Sequence, residues 1–127
     1  MIQISGKVIH GDNYGKTLGF PTANLDRKQY VREKLKIKFG IWSGWATIMD
    51  SQTLQYRAAI VVGPYDKYKL PKIEAHLLDF RGSLYGKKIR IILYKYIRTF
   101  KKFKDEDSLK RQIQKDIMKI NSIHNKL

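Results

Sequence analysis

The sequence predicts a mainly β domain, an antiparallel barrel or sandwich with one C-terminal helix laid against it. Runs rich in β-branched and aromatic residues, bounded by glycine, proline and acidic turn residues, recur five or six times with no helical period between them. The apolar spacing turns helical only in the last quarter, and strands without intervening helices close most readily on themselves or on a second sheet. At 127 residues, 43% of them hydrophobic, the chain is expected to be a single domain spanning 1–127 with a real core.

The first strand is carried by Ile2, Ile4, Val8 and Ile9 around Gly6, and Gly11 to Gly19 then form a polar loop punctuated by three glycines. Such a loop is a natural place for phosphate, because its backbone N–H groups can converge on an anion. Asp26 to Lys38 is too basic and irregular for a strand and reads as an excursion with a helical turn. Gly40 to Met49, Gln55 to Gly63, Lys72 to Phe80 and Lys87 to Tyr96 read as strands. Leu109, Ile113, Ile117 and Ile120 then recur at helical spacing. Asp105 stands where a cap belongs, and Glu106 and Asp107 lie in the first turn, where the helix dipole favours acids. That apolar stripe is expected to pack on the sheet rather than form a binding groove.

Composition excludes several classes. No apolar run approaches the roughly 18 residues of a membrane-spanning helix, and the first twenty residues have no secretory h-region. With no cysteine there are neither disulfides nor thiolate metal sites, which fits a reducing compartment, and cytoplasm is the default. The formal net charge of +15, densest from Lys87 onward, calls for an anionic partner or a lysine-rich solvated surface. Nucleic acid, a nucleotide and bulk solvent all satisfy it.

Two segments carry more than composition. In Gly19-Phe20-Pro21-Thr22-Ala23-Asn24 a proline fixes the backbone ahead of two short oxygen-bearing side chains that can point the same way. That arrangement suits a hard cation such as magnesium, and it equally suits a side-chain-stabilised turn. In Lys72-Ile73-Glu74-Ala75-His76-Leu77-Leu78-Asp79-Phe80 a carboxylate sits in an otherwise apolar run. It must find a partner, remain at the surface or serve a site. On a strand, Glu74, His76 and Leu78 share one face while Ile73, Ala75 and Leu77 share the other, so Glu74 can face a cavity while its neighbours pack. His76 reads as structural or exposed, and Lys16 could be one of many solvated lysines.

In order and approximate spacing these segments resemble the riboflavin kinase family. The likeness covers nearly the whole chain: Gly6-Lys7-Val8-Ile9-His10-Gly11, Gly15 to Asn24, Gly40-Ile41-Trp42, Ile73 to Phe80, Leu84-Tyr85-Gly86, Ile97-Arg98, Phe103, and Gln112-Ile113 with Asp116. The resemblance implies a six-stranded antiparallel Greek-key barrel with a C-terminal helix, and a magnesium-dependent transfer of the terminal phosphoryl group of ATP to riboflavin, giving FMN. It implies Thr22 and Asn24 on the metal and phosphates, Glu74 as catalytic base, Gly11 and Lys16 against the nucleotide, and Arg98 and Phe103 near the flavin. It further implies a monomer whose partners are ATP, riboflavin and FMN, with neither membrane nor nucleic acid.

The segment Val62-Gly63-Pro64-Tyr65-Asp66-Lys67-Tyr68 departs from the family pattern, so the choice between ATP and CTP stays open. Many bacterial members carry an FMN adenylyltransferase domain as well, and the sequence here fits either a stand-alone kinase or a part of something longer. Two other readings remain. One is a small basic barrel gripping single-stranded nucleic acid through Trp42, Trp45 and the tyrosines. The other is a flavin-binding domain without catalysis.

Overall fold

A computed structural model describes residues 1–11, 19–50 and 53–127. Among these residues six strands pair antiparallel: β1 (Ile2–Ile9), β2 (Ala23–Leu25), β3 (Gly40–Met49), β4 (Thr53–Tyr65), β5 (Pro71–Leu77) and β6 (Lys88–Arg98). They close into a barrel in the order β1-β2-β5-β4-β3-β6. The meander β3-β4-β5 with β6 returning beside β3 is a Greek key, and β6 also pairs along β1 to seal the barrel. Helix α1 (Lys28–Arg32) lies in the excursion before β3, and α2 (Glu106–Asn125) follows β6.

Strand alternation fills the interior. In β5, Pro71, Ile73, Ala75 and Leu77 are buried while Lys72, Glu74 and His76 are half-exposed, the division of faces that the sequence predicts. Ile4, Ile60, Val62, Ile89 and Ile91 reach zero exposure and form the barrel core with Ile73. The predicted boundaries shift by one to three residues, most at the end of β5. The strand expected to reach Phe80 stops at Leu77, because Asp79 turns the chain with a φ of 63°, a left-handed conformation that Asp tolerates better than most residues. Leu78 therefore leaves the Glu74 face and is buried, its N–H donating to the Arg57 carbonyl. Strand β2, only three residues long, is too short to show a period of its own.

Strand β6 carries two extra residues against β3, Tyr94 and Ile97, where the register shifts. A bulge bends its strand and re-aims side chains. Ser43 donates from its hydroxyl to the Lys95 carbonyl at 3.2 Å beside the first shift. Gly44 has no room for a Cβ, which would collide with the Ile92 carbonyl.

Helix α2 starts as its sequence predicts: the Asp105 carboxylate accepts from the Ser108 N–H at 2.7 Å, with Glu106 and Asp107 in the first turn. Its buried residues are Asp116, Ile120 and His124, spaced four apart. The His124 ring lies 4.6 Å from Trp45 and 6.2 Å from Tyr94, centroid to centroid. Neither ring nitrogen has a hydrogen-bond partner among the described residues. Burial, reinforced by the nearby Arg57 cation, pushes the His124 pKa below its ordinary 6.5.

The folded state thus holds His124 neutral while the unfolded chain takes up a proton near pH 6.5. The stabilisation is complete above that value and is lost as the pH falls from it toward the lower folded-state pKa. In urea titrations between about pH 8 and pH 5, the wild type is expected to lose more stability than His124→Phe. Parallel losses would show that the His124 proton is not linked to folding.

Candidate active site

The two segments singled out in the sequence meet because β2 pairs with β5. Ala23 lies opposite Ala75 and Asn24 opposite Glu74. One residue before that ladder, Thr22 places its hydroxyl 3.4 Å from a Glu74 carboxylate oxygen, a long hydrogen bond in which the hydroxyl donates. Glu74 has a further interaction besides this one. Gly11, at the far end of β1, lies against the Asn24 side chain so closely that any Cβ there would collide with its amide. The small residue at 11 makes room for the amide at 24.

Thr22 lines two cavities at once. The first, about 430 Å³, is the more polar of the two, with His10, Asn24, Arg81, Ser83 and Tyr85 set beside apolar residues such as Val8 and Leu84. The His10 and Tyr85 rings stack there, with centroids 3.8 Å apart and planes inclined by 22°. The second, about 400 Å³, is walled by Phe20, Ile41, Val61 and Phe103 and contains Glu74, His76 and Arg98. Both volumes fall in the range of small-molecule sites, roughly 300–1,000 Å³. The partition between them is the 21–24 segment with β5, whose odd residues Ala75 and Leu77 line the first cavity and whose even residues Glu74 and His76 line the second.

Helix α2 completes the second cavity with Leu109, Ile113 and Ile117, so its apolar stripe divides. The first turns wall the cavity, and Ile120 farther along is fully buried against the barrel. The sequence-based expectation of a packing face alone holds only for that later part. Arg98, at the end of β6 just past the bulge at Ile97, is held by Asp116 of α2: Nε donates at 2.9 Å and Nη2 at 2.7 Å. Gln112 adds an Nε2 donation to Asp116 at 3.0 Å. The Arg98 guanidinium is thus committed to an acid while its side chain still borders the cavity.

Of the predicted site residues, the fold brings Thr22, Asn24, Glu74 and Gly11 to one seam and puts Arg98 and Phe103 on the second cavity. Lys16, with residues 12–18 of the glycine loop, lies outside the described residues. Sequence reasoning gave no role to Phe20, Tyr85, Arg81 or the cavity-facing turns of α2. Asp116 was visible only as part of a motif. No arrangement of three His, Asp or Glu residues that could hold a metal occurs among the described residues. Thr22 and Asn24 instead offer two oxygen donors suited to a hard cation that takes its remaining ligands from phosphate and water. On that criterion a magnesium ion fits.

The site belongs to a closed Greek-key barrel with one capping helix, whose more polar and more apolar cavities share a threonine beside a carboxylate. Comparison with known proteins identifies the family. The flavokinase (riboflavin kinase) family matches residues 1–124. The chain is 36% identical over 113 residues to the bifunctional riboflavin kinase/FMN adenylyltransferase of Escherichia coli K12, covering 89% of this chain and 35% of that protein. It is 37% identical to the bifunctional riboflavin kinase/FMN phosphatase of Arabidopsis thaliana, covering 89% of this chain and 30% of that one. The crystal structure of riboflavin kinase from Trypanosoma brucei superposes with a TM-score of 0.78 at 27% identity, over 98% of this chain and 80% of that one. The chain belongs to the riboflavin kinase family, and it spans about a third of the length of the bifunctional relatives it matches.

Removing the acid that holds Arg98 leaves a cation with 14% side-chain exposure unpaired. Asp116→Ala is therefore expected to lower the unfolding free energy by about 3 kcal/mol in urea titration. A loss below about 0.5 kcal/mol would show the pair to be as weak as an exposed one.

Proposed function

We propose that the chain phosphorylates riboflavin, transferring the terminal phosphoryl group of ATP to the ribityl hydroxyl to give FMN and ADP. The observation that carries this reading is the position of Thr22, shared by a polar cavity and an apolar one, with Glu74 at 3.4 Å on the apolar side. The nucleotide then occupies the polar cavity and the isoalloxazine ring the apolar one, so the reacting groups approach each other across the seam.

Phosphoryl transfer asks a protein mainly for in-line placement and charge neutralisation. Thr22 and Asn24 would hold a magnesium ion, whose contribution when bound is to neutralise charge on the phosphates. Gly11 leaves room for the Asn24 side chain, and the reading assigns Gly11 and Lys16 to the phosphates. The hydroxyl oxygen attacks the terminal phosphorus, the bond from that phosphorus to the bridging oxygen breaks to release ADP, and the Glu74 carboxylate takes the hydroxyl proton. Phe103 and the α2 face enclose the ring. Arg98, fixed by Asp116 and by the Thr99 carbonyl, borders the same space. A monomer acting in the cytoplasm completes the reading; no helix among the described residues is long and apolar enough to cross a membrane.

The nucleic-acid reading has less support. Trp42 packs edge-on against Tyr96 at 5.2 Å and donates from Nε1 to the Lys38 carbonyl, and Trp45 packs with Tyr94 and His124. Both tryptophans are half-buried and engaged by neighbouring rings, whereas single-strand binding needs free aromatic faces.

Incubation with riboflavin, magnesium and either ATP or CTP, followed by separation of the flavins, tests the reading. FMN is expected with at least one donor. Riboflavin bound but never phosphorylated would point to a non-catalytic flavin-binding domain. Salt-sensitive oligonucleotide binding without flavin binding would point to the nucleic-acid reading. Glu74→Gln is expected to lower kcat about 10²- to 10⁴-fold with the far-UV circular dichroism unchanged; an unaltered kcat would remove Glu74 from the chemistry. Gly11→Ala is expected to raise the magnesium concentration needed for half-maximal rate while the Tm moves by only a few degrees, because the displaced Asn24 amide is a side-chain end that can rotate away. An unchanged requirement would detach Gly11 from the Asn24 corner.

A further inference from the structure

The ladder between β2 and β5 ends at Ala23 and Ala75. Continuing the same register would set Thr22 opposite His76 and Pro21 opposite Leu77, but Pro21 has no N–H with which to extend it. Its carbonyl is taken up instead by a side chain: the His76 Nδ1 lies 2.7 Å from Pro21 O. A carbonyl can only accept, so Nδ1 carries the proton, and in the neutral ring Nε2 is left as an acceptor. The ring is also braced by Phe20, whose centroid lies 6.0 Å away at 84°, and it shares the outward face of β5 with Glu74. His76 therefore reaches from the strand bearing the carboxylate to the peptide that leads directly into Thr22.

We propose that His76 is a positioning residue whose Nδ1–H, bonded to the Pro21 carbonyl, locks the Pro21–Thr22 peptide and so sets the Thr22 hydroxyl relative to Glu74. The hydroxyl and the carboxylate stand on different segments, and beyond the end of the backbone ladder this short bond holds those segments together, beside the Phe20–His76 ring contact and the long Thr22–Glu74 hydrogen bond. Without it the segment preceding β2 pivots about Ala23, and Thr22 moves away from the seam. An error of about 1 Å in such an alignment is enough to cost a large factor in rate. The role rests on the phosphotransfer reading given above, whereas the hydrogen bond itself does not.

Two measurements separate these. In ¹⁵N-histidine-labelled wild type at neutral pH, long-range imidazole correlations are expected to show His76 as the Nδ1-protonated tautomer, its signal assigned by its loss in His76→Asn. An Nε2-protonated ring would overturn the proposal whatever the activity. The second measurement compares three variants. Asparagine places its amide nitrogen near the position of Nδ1, glutamine carries its amide one bond farther, and leucine has no donor. His76→Asn is expected to keep kcat within about 3-fold of wild type. His76→Gln and His76→Leu are expected to lose about 10-fold or more in kcat and to need more magnesium for half-maximal rate. Because His76 also borders the apolar cavity, riboflavin affinity is read separately by quenching of flavin fluorescence, and kcat is compared at saturating riboflavin. Equal kcat and an equal magnesium requirement in His76→Asn and His76→Leu would overturn the proposal. If the wild type makes no FMN, the phosphotransfer reading fails, and the tautomer still decides whether the Nδ1 bond exists.

Discussion

The site depends on one backbone pairing, the short antiparallel contact that sets Ala23 opposite Ala75 and Asn24 opposite Glu74. The two motifs lie some fifty residues apart in the chain, and only closure of the barrel makes them neighbours. A slip of one residue in that register would turn Glu74 into the barrel core and bring Ile73 or Ala75 to the seam. Register here is held from several directions. Ile73, Ala75 and Leu77 are buried on the inner face, β4 pairs along the other edge of β5, and β1 pairs with β2 beyond. The core thereby specifies the site geometry as well as stability.

The partition follows from the same pleat. Consecutive side chains of β5 point to opposite sides, so a single strand supplies one wall of an apolar cavity and one wall of a polar one. Thr22, at the end of the ladder, borders both. Proline at 21 serves twice in this account. It stops the ladder at the point where a side chain must be exposed, and it leaves a carbonyl that the ring of His76 takes up. Helix α2 works in a comparable way: its start forms cavity wall and its end, through Ile120 and His124, is buried against the barrel.

Much of this was legible in the chain. The aromatic and β-branched runs at 40–49 and 72–80 gave the strands, alternation within the second gave the outward face of Glu74, and the change of period after Asp105 gave α2 with its cap. The motif pair at 19–24 and 73–80 gave the seam. What escaped was decided by tertiary contact. Strand β2 is three residues long and exists because β1 and β5 flank it. The end of β5 at Leu77 is set by the positive φ of Asp79. The division of the α2 stripe into cavity wall and core could not be read from a periodicity that is the same in both halves. His76 looked structural because nothing in the sequence shows which carbonyl its ring would meet. The large positive charge, although conspicuous in composition, named no partner on its own.

The most direct test of the central claim, that the two cavities meet at the Thr22–Glu74 seam, is a crystal structure of the protein with magnesium, ADP and riboflavin bound together. The account predicts the terminal phosphate of ADP on the polar side of Thr22 and the ribityl hydroxyl on the apolar side, within hydrogen-bond reach of Glu74. Nucleotide and flavin held in separate places with Glu74 remote from the hydroxyl, or both competing for one cavity, would contradict it.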